Sequence, residues 1–173
     1  MNRKNKNKRA KYPNCVAIDT QILIYSLREK FETEEQKTDS ANAQTLMASV
    51  LSAGSRICIS AITVAEYLVG VEQINRNSTL LQLTSSFDVA AFNTRSAAIA
   101  ADLFPLMKQA SNANRKIFSA DSKIVATIIA HNCRLMYTND GDLSKLEHPE
   151  IEIRLLPKQQ PRLFDDDDMD KHS

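Results

Sequence analysis

No stretch of the 173-residue chain is apolar for the roughly 18 residues a membrane-spanning helix needs; the longest run is about the size of VATIIA at 125–130. A soluble protein is therefore expected. Glycine is scarce, with three residues, and none belongs to a G-x-x-x-x-G-K-[ST] loop, so a phosphate-cradling P-loop is excluded. No acidic pair precedes Asp19 and no D-x-D-x-T follows the first apolar run, which removes the usual devices for phosphoryl transfer to Asp19. The three cysteines, Cys15, Cys58 and Cys133, are odd in number, far apart and set in apolar surroundings. They read as small buried hydrophobes and not as disulfides or zinc knuckles. The three histidines, His131, His148 and His172, are scattered, so neither a metal-ligand set nor a Ser-His-Asp relay can be assembled from them.

Charge is present in balance, with a net of +1, but it is unevenly placed. Residues 1–12 form a basic, flexible arm, MNRKNKNKRAKY, with no apolar h-region behind it, which argues against a secretory signal and for the cytoplasm. Residues 158–173 form an acidic tail containing DDDDMDK, predicted to be disordered. Between them, residues 13–157 carry 3.6- and 2-residue hydrophobic patterning in alternation. CVAI at 15–18 reads as a buried strand and TQILIYSLREK at 20–30 as a helix. A polar loop is expected near 31–39, a helix over 40–53 closed by Gly54, and a strand at 56–60, RICIS. A helix from Ala61 to about Gly70, another over 72–84 and a strand at 87–91 follow. The spacing then predicts a helix over 93–110 with Pro105 inside it, the connector SNANRKIFS, and a helix ADSKIVATIIAHN at 120–132. The chain closes with the strand RLMYT, the loop NDGDL and an edge strand at 151–156, where Ile151, Ile153 and Leu155 share one apolar face. Strands that are apolar throughout and separated by helices specify an α/β fold, a mostly parallel sheet covered on both faces.

In such sheets ligands bind at the carboxyl ends of the strands. Asp19, Asp140 and Asp142 follow predicted strands directly, Glu66 lies on the helix after one, and Asp121 opens another helix. Each has a local account. Asp19 can cap the helix behind it, Glu66 can form a capping box with Thr63, Asp121 can meet a helix dipole, and the N-D-G of residues 139–141 is a turn former. Gathered at one end of a sheet, however, these carboxylates repel one another unless a cation neutralises them. A hard, oxygen-preferring ion, Mg²⁺ or Mn²⁺, answers that need and suits phosphodiester hydrolysis.

The segments AIDTQILIY, ISAITVAEYLVG, SADSKIVATIIAHN and LMYTNDGDL, in this order and spacing across residues 15–156, resemble the PIN-domain family, in particular VapC-type ribonuclease toxins of bacterial toxin–antitoxin pairs. The resemblance implies a three-layer α/β/α fold and metal-dependent endoribonuclease activity that leaves 5′-phosphate and 3′-hydroxyl ends. It also implies Asp19, Glu66, Asp121 and Asp140 as the catalytic, metal-holding quartet, Asp142 as a fifth metal-site acid, a homodimer, and silencing by a small antitoxin. Thr20 and Thr138 stand where the family often has hydroxyls that bond the acids. Gln21 departs from the family's frequent Asn or Ser, and Leu143 from its common Phe. Arg115, Lys116 and Lys123 are candidate RNA contacts near Asp121. The rival expectation is a catalytically silent PIN-like scaffold that binds RNA or protein, its carboxylates serving as caps and turn formers.

Overall fold

The computed structural model describes residues 12–110 and 115–158, with side chains left undescribed over 108–119. The basic arm up to residue 11, the acidic tail from 159, and the side chains of Arg115 and Lys116 lie outside the described residues. Five strands, β1 (Cys15–Ile18), β2 (Arg56–Ser60), β3 (Asp88–Ala90), β4 (Leu135–Thr138) and β5 (Glu152–Leu155), form one sheet in the order β3-β2-β1-β4-β5. All four pairings are parallel. The helices are α1 (Thr20–Leu27), α2 (Glu34–Ser52), α3 (Ala61–Val69), α4 (Arg76–Ser86), α5 (Thr94–Ala110) and α6 (Arg115–Ala130). None is long and apolar enough to cross a membrane.

Pleating sends alternate strand residues to opposite faces, and two cores result. Val16, Ile18, Ile57, Ile59 and Tyr137 pack with α1, α2 and α3 residues such as Ile22, Leu46 and Val64. Ala17, Cys58, Met136 and Ile153 pack on the other face with α5 and α6 residues such as Leu103, Val125 and Ile128. This is the expected three-layer α/β/α arrangement. The three cysteines are free, as expected.

Element boundaries depart from the sequence expectation in four places. The polar stretch near 31–39 is a loop only to residue 33; α2 begins at Glu34, with Thr33 Oγ1 accepting from Gln36 N at 3.2 Å. The helix expected over 72–84 is a 3₁₀ turn at Gln73–Asn75 followed by α4. The connector SNANRKIFS is helical from Arg115, so α6 starts five residues early. On β5, Ile153 is buried but Leu155 is 50% exposed; Leu156 turns inward in its place, its N–H bonding Thr138 O at 2.7 Å.

Strand order decides where a site can form. The chain lays β2 and β3 on one side of β1, then crosses to lay β4 and β5 on the other. Connections leave β1 and β4 in opposite directions, and a crevice opens at their carboxyl ends. Asp19 and Asp140 follow those two ends.

Candidate functional site

Asp19 terminates β1 and caps α1, its Oδ1 accepting from Ile22 N at 2.8 Å. Its Oδ2 accepts from the Thr138 hydroxyl and from Asn139 N at 3.2 Å. The Thr138 hydroxyl, fully buried, in turn accepts from Asp140 N at 2.9 Å. One hydroxyl thus ties the ends of β1 and β4 together. Asp140 Oδ1 takes Asp142 N at 2.7 Å and Leu143 N at 3.3 Å, closing the turn into a 3₁₀ segment, Leu143–Lys145.

Glu66 faces this pair from α3. That helix starts at Ala61 with Ser60 as its cap, accepting from Ile62 N at 3.0 Å. The capping box open to Thr63 and Glu66 does not form: Thr63 is the third residue of the helix and not its cap, and its buried hydroxyl has no hydrogen-bond partner among the described residues. Glu66 instead accepts a hydrogen bond from the Thr20 hydroxyl. Asp121 comes from α6, which returns toward the foot of β4 and so carries its first half over the strands' carboxyl ends. Because α6 begins at Arg115, Asp121 lies well inside the helix and not in its first turn. Its expected interaction with the helix dipole therefore falls away.

Asp19, Glu66, Asp121 and Asp140 line one cleft of about 340 Å³ with Thr20, Gln21, Ile124 and Leu143. Among the described residues, no lysine, arginine or histidine lines it. The electrostatic consequence is visible at Asp121, where burial, followed by the fields of Asp140, Glu66 and Asp19, pushes the carboxyl up to about 6. Asp19 is also raised, by burial against the opposing pull of its hydrogen bonds from Thr138, Ile22 and Asn139. Asp142 does not line the cleft. Its carboxylate is partly exposed and pairs with Lys145 Nζ at 2.8 Å.

Lys123 is exposed and the Tyr137 ring is buried in the core. Sequence reasoning missed Asn139 as a support: its backbone N–H holds Asp19 and its side chain donates to Asp39 Oδ2 at 3.1 Å. Its place directly after Thr138 was the available signal. Gly141, expected to permit a sharp bend, has no positive φ, and the turn is held by the Asp140 carboxylate.

The donors facing the cleft are carboxylate, hydroxyl and amide oxygens, a set matched to a hard cation. Among the described residues, no three His, Cys, Asp or Glu side chains stand together so as to hold a metal ion by themselves. Mg²⁺ does not require such a cage, since it takes one or two carboxylates and keeps several waters. The donor chemistry fits the ion on those terms, and the negative charge of the four acids favours one.

The PIN domain sequence pattern matches residues 16–149. No curated protein matches the chain. Similar solved structures include DNA-bound VapBC from Salmonella typhimurium, with TM-score 0.58, 18% identity, and coverage of 84% of this chain and 100% of that one. VapBC2 from Rickettsia felis, bound to a DNA fragment from the promoter, gives 0.55 at 18% identity, covering 82% and 98%. A toxin–antitoxin complex from Klebsiella pneumoniae gives 0.52 at 21% identity, covering 79% and 94%.

Proposed function

The chain belongs to the PIN domain family, and from that premise we propose that it is a Mg²⁺- or Mn²⁺-dependent endoribonuclease, the toxin of a toxin–antitoxin pair. One observation carries the reading: four carboxylates from four separate elements border a single cleft that, among the described residues, no cationic side chain lines. Charge of one sign, gathered by the topology, is costly unless a cation is shared among the acids.

When bound, the divalent ion supplies Lewis-acid polarisation of a phosphoryl oxygen and a more acidic water. Asp19 and Asp121 would hold it. Thr138 and the Asn139 N–H fix the orientation of Asp19, and Thr20 fixes Glu66. Glu66 and Asp140 orient the attacking water, and one of them accepts its proton. Asp140 spends Oδ1 on the turn amides, which leaves Oδ2 for that work. In-line attack on phosphorus breaks the bond to O3′ and leaves a 5′-phosphate and a 3′-hydroxyl. Asp142, held by Lys145, acts outside this set.

The named neighbours are toxin–antitoxin assemblies, and we extend that to a cognate antitoxin for this chain. Val69, Ile74 and Leu81, at 79%, 87% and 71% exposure on α3, the following 3₁₀ turn and α4, support apolar association as a homodimer. The competing scaffold reading draws on Asp19, whose two oxygens already accept protein hydrogen bonds.

RNA cleavage with Mg²⁺, Mn²⁺ or EDTA separates the two. The nuclease reading expects cleavage that EDTA stops, and a loss of roughly 10²–10⁴-fold in Asp19→Asn and Asp121→Asn variants that keep a cooperative melting transition. Metal-independent cleavage, or variants as active as the parent, would count against it.

A further inference from the structure

A second cavity, of about 270 Å³, adjoins the acidic cleft and is lined by Ile24, Arg28, Glu66, Tyr67, Gly70 and Val71. Glu66 borders both cavities, so the second opens where the candidate site ends. Its lining has a different chemistry. Arg28, just beyond the C-terminus of α1, is the one cation among the described residues lining the two cavities, and it is exposed. Its guanidinium makes no hydrogen bond or ion pair among the described residues. Tyr67 is half-buried: its ring packs against the core on the α1–α3 face of the sheet while also bordering this cavity. Its phenol also lacks a partner among the described residues. Gly70 contributes no side chain to the wall, and even an added Cβ would meet only Tyr67 O, at 3.6 Å.

A polyanion approaching a cleft of four carboxylates meets repulsion, and a cation beside the cleft offsets it at the neighbouring phosphate. A partly sunken aromatic side chain bordering a cavity can serve as a platform for a base, and such stacking is indifferent to base identity. We propose that this second cavity seats one unpaired nucleotide of the RNA substrate, adjacent to the scissile phosphate, with its base on Tyr67 and its phosphate on Arg28. The inference rests on the nuclease reading above for its direction along the strand. It assigns Tyr67 and Arg28 as substrate-positioning residues and selects single-stranded over duplex RNA, because a paired base cannot enter.

The test uses the full chain with an unstructured fluorescent RNA 12-mer and its duplex, in Ca²⁺ for binding and in Mn²⁺ for cleavage. The expected result is tighter binding of the single strand. Tyr67→Leu, which keeps apolar packing, and Arg28→Ala should each weaken it about 5- to 100-fold, while Tyr67→Phe stays near the parent. In cleavage the loss should fall on KM more than on kcat. A scan of abasic substitutions should find one position beside the cut where the loss equals that of Tyr67→Leu, with no further loss when the two are combined. Parent-like binding and KM in Tyr67→Leu, equal affinity for duplex, or additive abasic and Tyr67 losses would each overturn the seat. Cleavage that persists unchanged in Tyr67→Leu leaves the nuclease reading standing without the seat. Tyr67-dependent binding with no metal-dependent cleavage leaves the seat standing and removes the nuclease.

Discussion

At the scale of the residue, Asp19 joins two accounts that looked like alternatives in the sequence. It caps α1 through Oδ1 and borders the acidic cleft, so capping fixes the carboxylate where the chemistry needs it. Thr138 has the same double character, donating to Asp19 and accepting from Asp140 N. Thr138→Val keeps the shape and leaves the half-buried Asp140 amide and the buried Asp19 carboxylate short of a partner. A loss of about 1–3 kcal/mol in chemical denaturation is expected, with cleavage reduced about 10- to 100-fold. Asp121 gives a prediction in pH. Its folded-state pKa, about 6, lies above the ordinary 3.8, so the folded protein binds the proton more tightly than the unfolded chain does. Stability from this group is present below about pH 4 and is lost as the pH rises to about 6. Metal-free protein should therefore melt at a higher temperature at pH 5 than at pH 7.5. Asp121→Asn should shrink that difference, and Mn²⁺ should raise the pH 7.5 melting temperature of the parent. A melting temperature independent of pH between 4 and 7 in metal-free protein would contradict the raised Asp121.

The four acids that line the cleft were legible because each follows a strand or sits on a helix beside one, where a parallel sheet collects side chains. The distinction between Asp140 and Asp142 was not legible. It depends on which carboxylate the turn amides capture, and N-D-G-D offers two acids one glycine apart.

Among the elements, strands read more faithfully than helix starts. β1 and β2 match their expected bounds because buried strands are continuous apolar runs. The start of α2 was missed because its first residues are polar, and hydrophobic periodicity is silent where a helix faces water. For α2 the capping signal was present in Thr33 and in the acids Glu34 and Glu35 of the first turn. Two glycines make a test at this scale. Gly54 closes α2 at φ +77°, with no atom within 4 Å of an added Cβ, so Gly54→Ala isolates the backbone cost of the left-handed conformation. It should destabilise by roughly 1 kcal/mol. Gly141 has open space and no positive φ. Gly141→Ala should leave stability nearly unchanged, although N-D-G reads as the stronger turn signal. Equal losses at both positions would contradict this reading of the two turns.

For the molecule as a whole, the order β3-β2-β1-β4-β5 is what brings distant acids together. Asp19 and Asp140 meet because β1 and β4 are neighbours, pairing Ala17 with Met136 and Ile18 with Tyr137. Alternating strand and helix patterns predicted a parallel sheet, but they do not state which strands adjoin; the family resemblance implied the acidic quartet without a strand order, and the order is seen only in the fold. The account's central claim is that the four carboxylates share a divalent cation. The most direct measurement is the anomalous scattering of Mn²⁺ in crystals of the protein grown near neutral pH. The account predicts one Mn²⁺ peak in the cleft, within ligand distance of Asp19 or Asp121 and bridged by water to Glu66 and Asp140. A cleft without Mn²⁺ at millimolar metal, with the four side chains turned apart, would contradict it.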